Sequence, residues 1–162
     1  MHPKLIFQLL ALLGLANGTP VLMNKFLGKR WSYPLDCGAR LLDGQPLFGA
    51  SKTMRGFLIG VLAAAAGAPL VGLTWKIGIA VGAAAMAGDL FSSFLKRRMR
   101  LVAGDRATGL DQIPESLFPV LACRLMLPLT ALDIAAVVVA FVLGEVLLSL
   151  LFYRLHLRER PY

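Results

Sequence analysis

Acidic residues are scarce in this chain of 162 residues: nine Asp and Glu stand against seventeen Lys and Arg, a formal charge of +8 at pH 7. Cysteine is scarcer still, with Cys37 in a polar stretch and Cys123 in an apolar one. No CxxC and no Cys/His spacing suited to zinc occurs, so a disulfide framework, thiol chemistry and a structural zinc site are excluded. Only two histidines are present, His2 and His156, both close to the ends and expected to be solvated. Charged residues make up only 16% of the chain, whereas 57% is hydrophobic and the mean hydropathy is +0.71. That is too apolar for an ordinary soluble domain. Residues 1–162 therefore read as a single transmembrane domain, multi-pass in the cell membrane. In so apolar a chain the basic excess sets orientation and meets anionic lipid or phosphate; it does not indicate nucleic acid.

A spanning helix needs about 20 apolar residues. Five segments qualify: Leu5–Met23, Phe57–Trp75, Ile77–Leu95, Ile113–Leu132 and Ile134–Tyr153, the last two parted only by Asp133 and so expected to form a tight hairpin. The first could be mistaken for a cleavable signal peptide. The six cations that follow it, Lys25, Lys29, Arg30, Arg40, Lys52 and Arg55, argue against export. Five more lie in 96–112 and three after Tyr153, while the opposite side has only Lys4 and Lys76. The expected fold is thus an all-α integral membrane protein with five transmembrane helices, N-terminus outside, C-terminus cytoplasmic and a polar site at the cytoplasmic side.

Small residues recur at every fourth position in the second segment (Gly56, Gly60, Ala64, Ala68, Gly72) and in the third (Ala80, Ala84, Gly88). In lipid such stripes let backbones approach closely, so these helices should pack through them, on each other or on a second copy in a homodimer. Asp89 lies about 9 Å below the cytoplasmic end of the third segment, at 1.5 Å per residue. A carboxylate at that depth should face protein, water or a cation. Helical spacing puts Ser92, Ser93 and Lys96 on its face. A structural ion pair of Asp89 with Lys96 or Arg55 is the alternative.

Two further clusters carry chemistry. Phe48–Gly56 offers Lys52, Thr53 and Arg55 as phosphate donors between Gly49 and Gly56, but GxxxxGK[ST] and its strand context are absent, so it is no P-loop. The loop Arg100–Glu115 carries Gly104, Gly109 and the acids Asp105, Asp111 and Glu115. With Asp89, Asp111 and Glu115 could hold a hard divalent cation, since Mg²⁺ takes one or two carboxylates plus substrate phosphate oxygens. Arg124 and Glu145, each mid-span, are functional candidates by position, with structural pairing across the final hairpin the favoured reading of the two. Asn17 and Pro20 read as a kink in the first helix.

Gly88-Asp89-Leu90-Phe91-Ser92-Ser93-Phe94-Leu95-Lys96-Arg97, followed by Gly109-Leu110-Asp111-Gln112, resembles the signature of the CTP-dependent phosphatidate cytidylyltransferase superfamily. The short layout and Asp36…Asp43-Gly44…Gly49…Lys52-Thr53-Met54-Arg55-Gly56 are closer to its compact branch, the CDP-archaeol synthases. The likeness runs from about Asn17 through Glu115. The Gly/His-rich loop of the larger bacterial enzymes is missing, and the second acid of the archaeal Asp-Gln-Leu-Asp pattern falls on Pro114, with Glu115 one place later.

The resemblance implies transfer of CMP from CTP to a lipid phosphate with release of pyrophosphate. It implies Asp89, Asp111 and Glu115 as ligands of Mg²⁺, with Mn²⁺ as a substitute; Asp89, Lys96 and Asp111 as the catalytic set; and Lys52, Thr53, Arg55, Ser93, Lys96 and Arg97 on the substrates. CTP, a membrane lipid phosphate and the bilayer are the implied partners. Asp36-Cys37-Gly38-Ala39-Arg40 is similar to part of the CDP-alcohol phosphotransferase motif, but Cys37 breaks its Asp-Gly pair. A small transporter using Asp89 as a relay is the third reading; the one-sided polar groups and the lack of a repeat speak against it.

Overall fold

The computed structural model describes residues 1–28, 30–101 and 109–154, with side chains up to residue 149. Gly104, Asp105, Arg158 and Arg160, with His156, lie outside the described residues. The chain forms α1 (Pro3–Leu27), α2 (Met54–Gly67), a 3-10 turn (Pro69–Val71), α3 (Trp75–Arg98), α4 (Gln112–Cys123) and α5 (Ala131–Arg154). No strand occurs among the described residues, only isolated bridges pairing Pro34 with Thr53 and Arg40 with Pro46.

Among the described residues, four helical stretches are long and apolar enough to cross a bilayer: Pro3–Leu27, Met54–Val71, Trp75–Arg98 and Ala131–Ser149. The fourth expected span is different. α4 has only 12 residues, about 18 Å of helix, which falls short of a hydrocarbon core of about 30 Å. Residues 124–130 continue it outside any helix. Pro119 removes an intrahelical donor and Pro128 disfavours helix at the residue before it, which an apolarity count does not register. The break also falls earlier than Asp133. That residue belongs to the first turn of α5, where Thr130 and Asp133 cap each other: the Thr130 amide donates to Asp133 Oδ2 (3.0 Å) and the Asp133 amide to Thr130 Oγ1 (3.2 Å).

Each helix packs on its neighbour in sequence, and α1 also touches α3 and α5. α1 is built into the core, with Leu9, Leu12, Leu13 and Ala16 fully enclosed. One end of the bundle holds the chain start, the 3-10 turn and residues 124–130. There the His2 amide donates to Asp133 Oδ1 (2.7 Å) and its Nδ1 lies 2.9 Å from Oδ2, so His2 is engaged rather than simply solvated. Gln8 donates to the Val71 carbonyl nearby. The other end holds the described residues of 28–53, the end of α3 and the start of α4.

The small-residue stripe of α2 is buried as expected at Gly60, Ala64 and Ala68. On α3 the close face is Gly78 and Gly82; Ala80 and Ala84 are only half-buried. A Cβ at Gly78 would lie 2.4 Å from the Ala64 carbonyl oxygen, and one at Gly82 would lie 2.8 Å from Val61 Cα. Gly88 faces α4 instead. A Cβ there would meet the Pro114 carbonyl oxygen at 2.2 Å and the Glu115 nitrogen at 2.8 Å. Packing of this kind lets two backbones touch where apolar surface alone gives little drive to associate.

Candidate active site

Among the described residues of the loop 28–53 no apolar side chain is buried, so the loop depends on hydrogen bonds for its shape. Asp36 supplies them. Its Oδ1 accepts from the Gly38 amide (3.0 Å), and its Oδ2 accepts from Phe48 (3.0 Å) and Gly49 (2.9 Å). Burial opposes its charge, but the Gly49, Phe48 and Gly38 donors outweigh it and hold the carboxyl below the ordinary value of 3.8. Gly49 itself sits at φ +94°, a left-handed conformation open to glycine. The loop then closes on the Pro34–Thr53 bridge, where the Leu35 amide donates to the Lys52 carbonyl (2.8 Å) and the Met54 amide to the Tyr33 carbonyl (3.0 Å). Arg98, at the end of α3, clamps the outer lobe with both Asp43 oxygens (2.7 Å) and the Pro46 carbonyl (2.6 Å).

This fold of the loop delivers Lys52 to α3. Its ammonium lies 2.5 Å from both oxygens of Asp89, and each side chain keeps about a fifth of its exposure (21% and 22%). About two turns further along α3, Lys96 pairs with Asp111 at 2.8 and 3.0 Å. Asp111 stands immediately before α4, and the Gly88 contact seats the first turn of α4 on α3. Glu115 is thereby buried, with its carboxyl within hydrogen-bonding reach of Asp89 and with Lys52 and Glu145 as electrostatic neighbours.

These groups line one cavity of about 290 Å³. Lys52, Thr53, Asp89, Ser93, Lys96, Arg97, Asp111 and Glu115 of the expected set all contribute to its wall. Thr53 caps α2, its Oγ1 accepting from the Gly56 amide at 3.1 Å. Ser92, though on the expected face, turns back to the Asp89 carbonyl (2.9 Å) and is not in the wall. Arg55 is the departure. Expected on phosphate or on Asp89, it is buried away from the cavity wall and donates to the Arg30 and Gly28 carbonyls and to Asn24 Oδ1. There it ties the residues that follow α1, Gly28 and Arg30, to the Asn24 side chain in its last turn.

Glu145 is the residue that sequence reasoning assigned elsewhere. It lines the cavity from α5, while Arg124, its expected partner, is exposed at the end of α4. Depth along the helix would have found it. Glu145 and Asp89 each stand fourteen residues after the first residue of their helices, about 21 Å in both cases, and both helices start at the same end of the bundle. Asn17 also lines the cavity, its buried Nδ2 lacking an acceptor among the described residues.

No group of three or more His, Cys, Asp or Glu among the described residues closes on a metal. A magnesium ion needs fewer, because one or two carboxylates and substrate phosphates complete its shell. Two carboxyls as close as Asp89 and Glu115, with Asp111 on the same wall, are hard oxygen donors of that type. The donor set therefore fits a divalent cation, provided that Lys52 yields its place on Asp89.

The CarS-like CDP-archaeol synthase family model matches residues 72–162, more than half of the chain. The chain belongs to the CDP-archaeol synthase family. Among the CDP-archaeol synthases, the protein of Thermofilum pendens is 37% identical over 84% of this chain and 68% of its own length. That of Pyrobaculum islandicum is 32% identical over 91% of both chains. A solved structure of an intramembrane enzyme for archaeal membrane lipids biosynthesis superposes with a TM-score of 0.74 at 30% identity, covering 85% of this chain and 88% of its own. The expected site residues come from the end of the loop before α2, from α3 and from the start of α4, and the fold gathers all of them, Arg55 excepted, around one cavity.

Proposed function

We propose that this protein is a CTP-dependent cytidylyltransferase that converts a lipid phosphate of the CDP-archaeol or CDP-diacylglycerol type into the corresponding CDP-lipid. The observation that carries the reading is the cavity itself: two lysine–carboxylate pairs, a third and a fourth carboxyl and Arg97 share one wall between apolar helices. In the reaction an oxygen of the lipid phosphate bonds to the α-phosphorus of CTP, and the bond from that phosphorus to the β-bridging oxygen breaks, releasing pyrophosphate. The attacking oxygen is already anionic, so no side chain has to remove a proton from it.

Lys52, Lys96 and Arg97 bind the phosphoryl oxygens and follow the charge as it moves to the leaving group. Ser93 and Thr53 orient them. Asp89, Asp111 and Glu115 hold the divalent cation that goes with cytidyl transfer, Mg²⁺ in this reading, and its chemistry when bound is to neutralise the triphosphate. The basic loops orient the cavity toward the cytoplasm, so that CTP enters from water and the lipid from the side.

The CDP-alcohol phosphotransferase alternative has less support. Asp36, the acid its motif would use, spends its carboxylate on three backbone amides outside the cavity wall. The test is purified protein with CTP, Mg²⁺ and a panel of ether and ester lipid phosphates, with products weighed by mass spectrometry. A CDP-lipid is the expected product. If CTP is left intact with every lipid phosphate, the proposal fails.

A further inference from the structure

We infer that Lys52 and Lys96 are built-in substitutes for the divalent cation, occupying its carboxylates until phosphate draws them away. The inference rests on the cytidylyltransferase reading and goes beyond it to how the site loads. Lys52 does not merely approach Asp89. It is centred on the carboxylate, 2.5 Å from each oxygen, so both oxygens that a cation would use are covered. Lys96 does the same at Asp111, at 2.8 and 3.0 Å.

Partial burial makes these pairs hard to leave alone. Stripping a lysine from its partner inside a protein leaves an uncompensated charge in low dielectric. Asp89 would then face Glu115, a second carboxyl within hydrogen-bonding reach, with Glu145 beyond. A cation arriving alone must push the ammonium from Asp89 toward Glu115, another of the cation's own ligands, or toward Glu145. A triphosphate arriving alone must take the lysines and leave the carboxylates bare beside its own negative charge. Together they exchange partners: lysine passes to phosphate and carboxylate to metal, with every charge matched throughout. Loading is therefore synergistic, and by linkage each ligand raises the affinity of the other by the same factor.

The signs of the resulting predictions are opposite to those of an ordinary ligand-binding residue. Mn²⁺ alone, without nucleotide, is titrated against detergent-solubilised protein and the free ion read by electron paramagnetic resonance. Lys52→Met should bind Mn²⁺ at least about tenfold more tightly than wild type, within the usual range of coupling between sites. Lys52→Gln serves the same purpose if the Met variant does not fold, and Lys96→Met reports on the second pair. CTP alone, in EDTA, is titrated in parallel. Asp89→Asn should bind metal-free CTP more tightly than wild type, because it releases Lys52.

A short-chain dialkylglycerol phosphate in place of CTP identifies which phosphate Lys52 accepts. A gain with CTP assigns it to the nucleotide, a gain with the lipid analogue assigns it to the lipid, and a gain with neither overturns the inference. Unchanged or weaker Mn²⁺ binding in the folded lysine variants overturns it equally. If wild type forms CDP-lipid while these titrations show no gain, only the substitute role falls. If no CDP-lipid forms, the proposed reaction falls, and the Mn²⁺ titration still reads the exchange.

Discussion

Gly88→Ala tests the link between packing and chemistry most directly. A Cβ at this position would lie 2.2 Å from the Pro114 carbonyl oxygen, 2.5 Å from its carbon and 2.8 Å from the Glu115 nitrogen. Ordinary contact begins at 3.4 Å, so the first turn of α4 must withdraw by about 1.2 Å. All three atoms are backbone, and no rotamer change can relieve the clash. Overpacking of this kind costs about 1–3 kcal/mol. The larger consequence is positional: Glu115 moves with α4 while Asp89 stays on α3, and a misplacement of about 1 Å can cost about 10²-fold in rate. The assay is initial-rate CMP transfer from CTP to a lipid phosphate in micelles, alongside thermal melting to confirm that the variant folds. Gly14→Ala and Gly144→Ala provide the controls, since a Cβ at either meets nothing within 4 Å. A Gly88→Ala enzyme with wild-type rate and melting temperature would refute the reasoning, because α4 would then be shown to rest elsewhere.

Three other outcomes follow from the geometry. Asp111→Asn should abolish CMP transfer while the protein still inserts and melts cooperatively; undiminished transfer removes Asp111 from the site. Arg55→Met should lower stability by about 1.5–3 kcal/mol, the worth of hydrogen bonds from a charged donor, and should raise the KM for CTP far less than Lys52→Met does; the reverse order would return Arg55 to the substrate. Asp36→Asn should loosen the loop that carries Lys52. Because the folded Asp36 carboxyl is held below 3.8, its contribution is fully present above that value and fades as pH falls through the lower folded one. The gap in melting temperature between wild type and Asp36→Asn should therefore stay constant at neutral and mildly acid pH and narrow only below about pH 4; a gap that closes nearer pH 6 would assign it to another group.

Much of this protein was legible before any coordinates. Apolarity over about 20 residues is a one-dimensional property, so the long helices could be read directly, as could the place of Asp89 inside one of them and the basic character of the segments between them. The signature around Asp89 and Asp111 needed only order and spacing. Partner choice was another matter. Asp89 had Lys96 and Arg55 as eligible neighbours in sequence terms, and the structure pairs it with Lys52, because Asp36 folds a loop that no periodicity describes. Arg55 was indistinguishable from a phosphate ligand until its donors were seen to be spent on Gly28, Arg30 and Asn24.

Glu145 and Arg124 looked like partners across a hairpin until α4 proved to end at Cys123. Composition and periodicity report how a segment meets its solvent, and that is decided locally. Which charge neutralises which depends on distances between segments far apart in the chain, and only the packing of Gly60, Gly78, Gly82 and Gly88 against neighbouring backbones sets those distances.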